Sequence, residues 1–319
     1  MPSFIKEIYC IFGIHNKEIN AFSKHNAKLM ANFKHIVLTH FNLKLSEDGV
    51  RRFIEDKTEK PTQTKSWMDE RFELFDKYCF PTLLNQKNKN FIWLCLFDEN
   101  TQEKYRVKIA EYQKQFPLFT PIYLAPSDSS KLYEKVDPII RKYLKDTDEY
   151  VITTNLDNDD SFHKNMIDNI QKEFLKNPKE LLYRFSYGYQ YFTRHKLMLR
   201  MKYPHNHFLT LASKISSAPI KPITHYEHAN AHRILSFTNI LTDPMWIEIV
   251  HESNVNNSIR VKFKIKYVPV IKKNIFKQEF NVNIDLKTRR NIFNAFFIFP
   301  GLIVKKIVAK IPEKLEKNI

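Results

Sequence analysis

Residues 150–160 read YVITTNLDNDD, from Tyr150 to Asp160, and the reading of this stretch decides the fold. Its first six residues are mostly β-branched or aromatic, with no Gly or Pro, as expected of a buried strand. The chain then sets three carboxylates, Asp157, Asp159 and Asp160, within four residues. Mutual repulsion disfavours such a turn unless a cation sits there. In open α/β sheets, functional residues gather at the carboxyl ends of the strands, so a strand that runs straight into this turn marks such an edge.

Upstream the same grammar repeats. Residues 33–41 (FKHIVLTHF), 91–97 (FIWLCLF) and 120–125 are apolar runs of strand length. Helical patterns separate them. Trp67, Phe72, Phe75 and Cys79 recur at helical spacing between a cap at Ser66 and a stop at Pro81, after a polar loop over 58–65. Residues 101–115 form a charged helix, and 129–145 another with Ser127 or Asp128 as cap. After the acidic turn, 163–175 is helical until Pro178. This alternation predicts an α/β fold with a mostly parallel sheet and helices on both faces. Three polar clusters, 39–42, 98–100 and 157–160, then converge on one rim.

Beyond residue 180 the pattern changes. Residues 181–192 and 196–203 are aromatic and extended, and no long helix is visible before 285. Antiparallel hairpins and loops are expected here, covering the site and holding an acceptor. The expected organisation is an N-terminal extension over 1–34, an α/β half over 35–178, an acceptor-binding half of the same domain over 179–284, and a basic tail over 285–319.

Composition removes several function classes. With 319 residues, 43% hydrophobic content and 26 Phe, the chain can bury a sizeable core. Its four glycines (Gly13, Gly49, Gly188, Gly301) allow no Gly-rich phosphate cradle, which excludes dinucleotide-binding and P-loop readings. Three cysteines without a CxxC pair argue for a reducing compartment and against a disulfide framework or zinc ribbon. The start carries no secretory pattern, and no run of about eighteen apolar residues exists to span a bilayer. A cytoplasmic protein is expected. The net charge of +16 admits nucleic acid, an anionic membrane or a polyanionic substrate as partner.

Part of that charge lies in the tail. Lys287, Arg289, Arg290, Lys305, Lys306, Lys310, Lys314 and Lys317 flank an apolar stretch, 292–304, interrupted by Pro300 and Gly301. Val304, Ile307, Val308 and Ile311 share one helical face with lysines opposite, the pattern of a helix in an anionic membrane interface. A helix packed on the domain with a solvated lysine face has the same spacing.

The chemistry of 157–160 points to a hard divalent cation, Mg²⁺ or Mn²⁺, which takes oxygen ligands from few protein groups and the rest from phosphates and water. Such an ion stabilises a diphosphate leaving group. Taken alone, the same residues form a solvated acidic turn or a helix cap.

Several elements in order carry a family resemblance. TNLDNDD resembles the Asp-x-Asp-Asp signature of nucleotide-sugar glycosyltransferases with the GT-A fold. LFDKYCFPTLLNQ followed by NFIWLCLFDENT resembles that superfamily's helix and its strand leading to an acidic turn; NHFLTL (206–211) and PMWIEIVHESNVNN (244–257) continue the order. Together, over residues 35–262, they resemble the bacterial rhamnosyltransferase family, whose label does not fix the donor sugar. The resemblance implies a GT-A-like enzyme moving a sugar from a nucleotide-diphosphate sugar to a glycan or lipid-linked glycan acceptor in surface polysaccharide synthesis. Inversion at the anomeric carbon goes with it, and the basic tail adds the expectation of a peripheral position on the inner face of the cell membrane. By position, Asp98 would face the base or ribose, Asp157 the ribose, and Thr39 and Asn42 would line the nucleotide pocket. Asp159 would ligate the metal and His251 complete its site.

The family's acidic catalytic pair before a helix is not evident in the sequence. In its place stands THYEHANAH (224–232), so Glu227 or His228 is a candidate general base, with Asp243 a third. His225, His228 and His232, at spacings of three and four, suit one helical face, but without an HExxH pattern a polar loop near phosphates explains them equally. The Tyr-rich stretch 183–191 reads as sheet packing. Two other classes compete with the transferase: a nucleic-acid binder, which lacks any recognised module here, and a phosphate-ester hydrolase using the same carboxylates.

Overall fold

The structure, a computed structural model, describes residues 31–43, 64–126, 131–251, 267–272, 274–284 and 286–309. The expected extension over 1–34 and the end of the basic tail therefore lie largely outside the described residues. So do the caps expected at Ser127 and Asp128.

Strands β1 (Phe33–His40), β2 (Ile92–Asp98), β3 (Phe119–Leu124) and β4 (Tyr150–Asn155) appear where the apolar runs predict them. They are followed by the two-residue β5 (Ser161–Phe162), then β6 (Leu181–Phe185), β7 (Tyr187–Phe192), β8 (Leu197–Lys202) and β9 (Leu209–Lys214). Last come β10 (Phe237–Ile240), β11 (Trp246–Val250) and β12 (Tyr267–Pro269). Two sheets result. The larger has the order β10-β6-β9-β4-β1-β2-β3, and the smaller β12-β8-β7-β11-β5. In the larger sheet β1 pairs in parallel with β2 and β4, and β2 with β3. β9 runs antiparallel between β4 and β6, so β6 again points the same way as β4. The carboxyl ends of β1, β2, β4 and β6 therefore share one rim.

The second half of the chain is thus not only a cover. β6, β9 and β10 extend the main sheet, and only β5, β7, β8, β11 and β12 form the separate layer.

Helices clothe both faces of the main sheet. One face packs Val37, Cys95 and Phe97 against rings from α1 (Lys65–Leu74), α3 (Glu103–Gln115) and α5 (Met166–Lys176), with Trp93, Phe75 and Phe119 fully buried. The other packs Ile36, Leu38, Leu94 and Leu96 against Val136 and Ile140 of α4 (Leu132–Arg141). Strands covered on both sides must be apolar at every position, which is why their sequences do not alternate.

Helix α1 is capped by Thr64, whose hydroxyl accepts the Trp67 N–H, rather than by Ser66. Pro81 does not end the helical run. A π-turn over Phe75–Cys79, with the Phe80 N–H donating to the Phe75 carbonyl, widens the backbone just before it, and α2 (Phe80–Leu84) continues. The wider turn takes up the proline at the start of α2, where its missing N–H costs least.

The smaller sheet is held together by close contacts between its own strands. A Cβ at Gly188 of β7 would fall inside the Trp246 indole of β11, so only glycine fits. Across its outer side runs a helical segment of α7 (Thr288–Phe293), a π-turn (Asn294–Ile298) and α8 (Phe299–Ala309). Asn291 pins it by accepting the Met198 N–H at 2.7 Å and donating to the Met198 and Val270 carbonyls at 2.9 Å each. Phe299 packs on Phe192 and Tyr267. The opposite side of the helix leaves Phe293, Phe296, Phe297 and Val304 exposed. Among the described residues no helix is long and apolar enough to cross a membrane.

Candidate active site

The loop after β4 carries the acidic cluster to the rim, and each of its residues meets a different environment. Asp157 is half exposed on its side chain and takes the Asn155 side-chain amide at 3.1 Å. Asn158 turns inward and donates to the Phe41 carbonyl at 2.9 Å, tying the turn to the end of β1. Asp159 and Asp160 are both buried but serve opposite flanks.

Asp159 Oδ2 receives the Arg71 guanidinium of α1 at 2.7 Å and lies 2.8 Å from His251 Nε2, just beyond β11. Burial opposes ionisation of this carboxyl, but the Arg71 charge and the His251 hydrogen bond override it and hold it below the usual range. Arg71 also lies over the Trp67 ring, at 5.0 Å. His251 opens onto a cleft of about 430 Å³ lined by Glu70, Glu73, Leu74, Lys77, Tyr78, Thr193 and Arg194.

Asp160 is fully buried between the two sheets. Its Oδ1 accepts the Ile249 N–H of β11 at 2.7 Å, and its Oδ2 lies 2.6 Å from His207 Nε2. Burial alone would lower the His207 pKa. The charge of Asp157 and the hydrogen bond with Asp160 outweigh it and raise it to about 9. Burial and the neighbouring Asp159 push Asp160 up while His207 pulls it back, so one proton serves this pair.

On the nucleotide side, Asn42 links the ends of β1 and β2. Its Nδ2 donates to Thr101 Oγ1 at 3.1 Å and its Oδ1 accepts the Asp98 N–H at 3.2 Å. Asp98 Oδ1 takes the Asn100 N–H at 2.7 Å, whereas Oδ2 is buried without a hydrogen-bond partner, as is His40 Nε2. A buried acceptor of this kind requires a donor, so Asp98 fits a group brought in by a ligand. Thr39 differs. Its hydroxyl donates to the Leu156 carbonyl at 2.7 Å and accepts the Trp93 indole N–H at 2.9 Å, with no exposure, so it shapes the strand ends from within.

The three base candidates separate. Glu227 is exposed and accepts the Asn230 side-chain amide at 2.6 Å. His228, also exposed, has its ring 6.2 Å from that of His207, beside the acidic turn. Asp243 lies before β11 and His251 after it, so about eight extended residues, on the order of 25 Å, separate them. The fold brings together Asn42, Asp98, Asp157, Asp159, His251 and His228, and it leaves Asp243 at the far end of the strand.

Two residues escaped the sequence reading. Arg71 stands among acidic neighbours in WMDERFEL, yet it falls between Met68 and Phe75 on the buried stripe of the helix. His207 heads β9 in NHFLTL with no charge pattern to mark it.

Two donor sets qualify for a divalent ion. Asp157, Asp160 and His207 bring ligand atoms within 4.8 Å of one another. Both oxygens of Asp160 are already engaged inside the fold, so this set suits an internal charge network better. Asp159 and His251 offer a carboxylate and an imidazole in contact, with His251 lining the cleft, which fits an ion sharing substrate oxygens. Arg71 is the cation that such an ion would displace or join there.

Comparison with known proteins follows the geometry. The family model described as "Putative rhamnosyl transferase" matches residues 34–263. No curated protein matches the chain. Among solved structures, the chain is similar to S. aureus TarS 1–349, at 8% identity and a TM-score of 0.38, covering 68% of this chain and 60% of that one. It is also similar to a "putative nucleotide-diphospho-sugar transferase" from Desulfovibrio desulfuricans G20, at 8% identity and a TM-score of 0.31, over 69% of this chain and 82% of that one. A third likeness is to the inositol-1-phosphate CTP transferase from T. maritima, at 10% identity and a TM-score of 0.30, over 72% and 94%. The chain thus spans 60% of the TarS segment. The family match covers more than half of the 319 residues, and the chain belongs to this rhamnosyl transferase family of glycosyltransferases.

Proposed function

We propose that this protein transfers a sugar from a nucleotide-diphosphate sugar to a glycan acceptor, with inversion, in the synthesis of a bacterial surface polysaccharide. Asp159 and His251 would hold Mg²⁺ or Mn²⁺. The observation that supports this most directly is their 2.8 Å contact, with His251 lining a cleft, on the rim where Asp98 keeps a buried, partnerless oxygen.

When bound, the divalent ion supplies charge neutralisation for the diphosphate leaving group. The side chains do the remaining work. Asp98 and Asn42 receive the nucleoside at the ends of β2 and β1. Asp157, half exposed beside them, takes the ribose. Arg71 holds positive charge next to Asp159, where the diphosphate oxygens would come. His228 is the general base that the arrangement favours, because it stands beside His207 and the acidic turn while Glu227 faces Asn230 and solvent.

The acceptor is read as lipid-linked, with the protein on the inner face of an anionic membrane. Supporting this are the exposed Phe293, Phe296 and Phe297 and the exposed Lys287, Arg289 and Arg290 at the start of the same helical segment. Lys310, Lys314 and Lys317 lie outside the described residues.

A panel of nucleotide sugars, assayed by thermal unfolding with and without Mn²⁺, tests the core of the proposal. One donor should stabilise the wild type only with metal, by about 2.7 kcal/mol at a hundredfold excess over Kd. The Asp159→Ala variant should lose that gain. Equal stabilisation of both proteins would reject the metal assignment, and donor turnover indifferent to added glycans would identify a hydrolase instead.

A further inference from the structure

Arg184 lies near the end of β6, on the same rim as the acidic turn, and is 3% exposed. Its Nε donates to Asn239 Oδ1 at 3.0 Å, its Nη1 lies 3.4 Å from His205 Nδ1, and its guanidinium sits 3.8 Å over the Phe237 ring. Among the described residues no carboxylate reaches it. Buried charges are ordinarily paired, because an isolated one forfeits its hydration with nothing in return. Arg71, the other buried arginine, obeys that rule through Asp159. Arg184 does not.

Its ring neighbours are imidazoles rather than carboxylates, and burial with the Arg184 and Arg233 charges lowers the His232 pKa. The His232 ring stands 4.6 Å from that of His205, and His232 Nδ1 is buried without a hydrogen-bond partner. His205 and His232 are half-buried, so they form the open side of the cluster.

Its position relates it to the reaction. Arg184 stands opposite Leu209 of β9. Because Thr154 pairs with Thr210, Asn155 lies in the same row as Arg184, two strand spacings or about 10 Å across the sheet. The segment 223–232, which carries His228, packs over this face through Ile223 and Ala231. The Asp159–His251 pair lies on the other flank, toward the smaller sheet.

We propose that Arg184, with His205 and His232, forms an oxyanion site for a phosphate or carboxylate carried by the acceptor glycan. The acceptor is then an anionic sugar chain, whose charge is gripped here while its hydroxyl lies beside His228. The assignment to the acceptor rests on the donor reading given above. The oxyanion site itself rests only on Arg184 and its neighbours.

The test uses the full chain without metal or nucleotide, titrated by calorimetry with inorganic phosphate and separately with D-glucuronate. One of the two should bind saturably: phosphate if the acceptor carries a phosphodiester, glucuronate if it carries an acidic sugar. Arg184→Met should weaken that binding by about tenfold or more, the worth of one charge-assisted hydrogen bond, with Arg184→Lys retaining part of it. Asp159→Ala should leave it unchanged. Binding of Mn²⁺ with the nucleoside diphosphate found in the donor screen should survive Arg184→Met, which also shows that the variant folds. Equal anion binding by wild type and Arg184→Met, or none by the wild type, overturns the proposal and makes Arg184 a packing residue held by Asn239 and Phe237. Loss of nucleotide binding by the wild type alongside Arg184-dependent anion binding defeats the donor reading and leaves the oxyanion site standing.

Discussion

The larger and smaller sheets share one apolar core, yet their interiors differ in character. In the larger, β1 and β2 are buried almost end to end under hydrocarbon and aromatic rings, and helices on both faces turn charged residues such as Lys104 and Lys108 to water. In the smaller, the interior is partly polar. Gln190 donates to Glu248 at 3.0 Å between β7 and β11, with both residues almost fully buried. The Asp160 carboxylate ties β11 to the acidic turn, beside the pairing of β11 with β5. The helix on its outer side turns phenylalanines outward. One sheet is thus set mostly by shape and apolar area, the other adds a few directed bonds to its apolar clusters, and the acidic turn is stationed where the two join.

Breaking Asp160 should separate the regimes most sharply. Asp160→Ala strands the His207 imidazole and the Ile249 amide together, and loss of a buried pair of this kind costs about 3–5 kcal/mol. Denaturant unfolding should record that loss, with hydrogen exchange rising first at β11. A cost below about 1 kcal/mol would mean that apolar packing alone joins the sheets.

The outward phenylalanines give the next effect. Replacing Phe293, Phe296 and Phe297 together by Ser should reduce partition onto anionic phospholipid vesicles about 100-fold while leaving the melting temperature near that of wild type. Unchanged sedimentation would mean that this face does not meet lipid. Deleting the whole segment is a poorer test, because Asn291 holds β8 and the residues before α7 in place.

Per pH unit, the smallest effect probes the larger sheet. His35 is buried, accepts from Gln171 Nε2 and bonds Thr154 Oγ1, and burial lowers its pKa to about 3 from an ordinary 6.5. The unfolded chain therefore binds a proton that the folded chain refuses between those values. Stability from this site is complete above pH 6.5 and is lost as the pH falls toward 3, by up to roughly 1.4 kcal/mol per pH unit. His35→Gln should flatten that portion of the pH profile. An unchanged slope would assign the acid sensitivity elsewhere.

The same contrast explains what the sequence discloses. β1, β2 and β4 are legible because a strand covered on both faces must be apolar throughout, and the acidic turn is legible because nothing else concentrates carboxylates so. β5 and β12, two and three residues long, are below what periodicity can register. Extended character is visible over 181–203, but which sheet each strand joins is decided by contacts such as Gly188 on Trp246, far apart in the chain. Arg71 and Arg184 are the instructive omissions. Each occupies a position whose neighbours on the same face are buried, Met68 and Phe75 for one and Leu182 for the other. A cation in an apolar stripe is the signal that could have found both. Thr39 shows the converse: a hydroxyl at a strand end looks available until its two buried partners are known.

The Arg71–Asp159 pair has a consequence for how the protein is made. A nest of carboxylates normally leaves a newly folded chain dependent on an ion to quench it. Here the guanidinium is a built-in understudy, present from synthesis and never lost to a chelator. The buried Asp159 carboxylate therefore has its countercharge whether or not an ion is present.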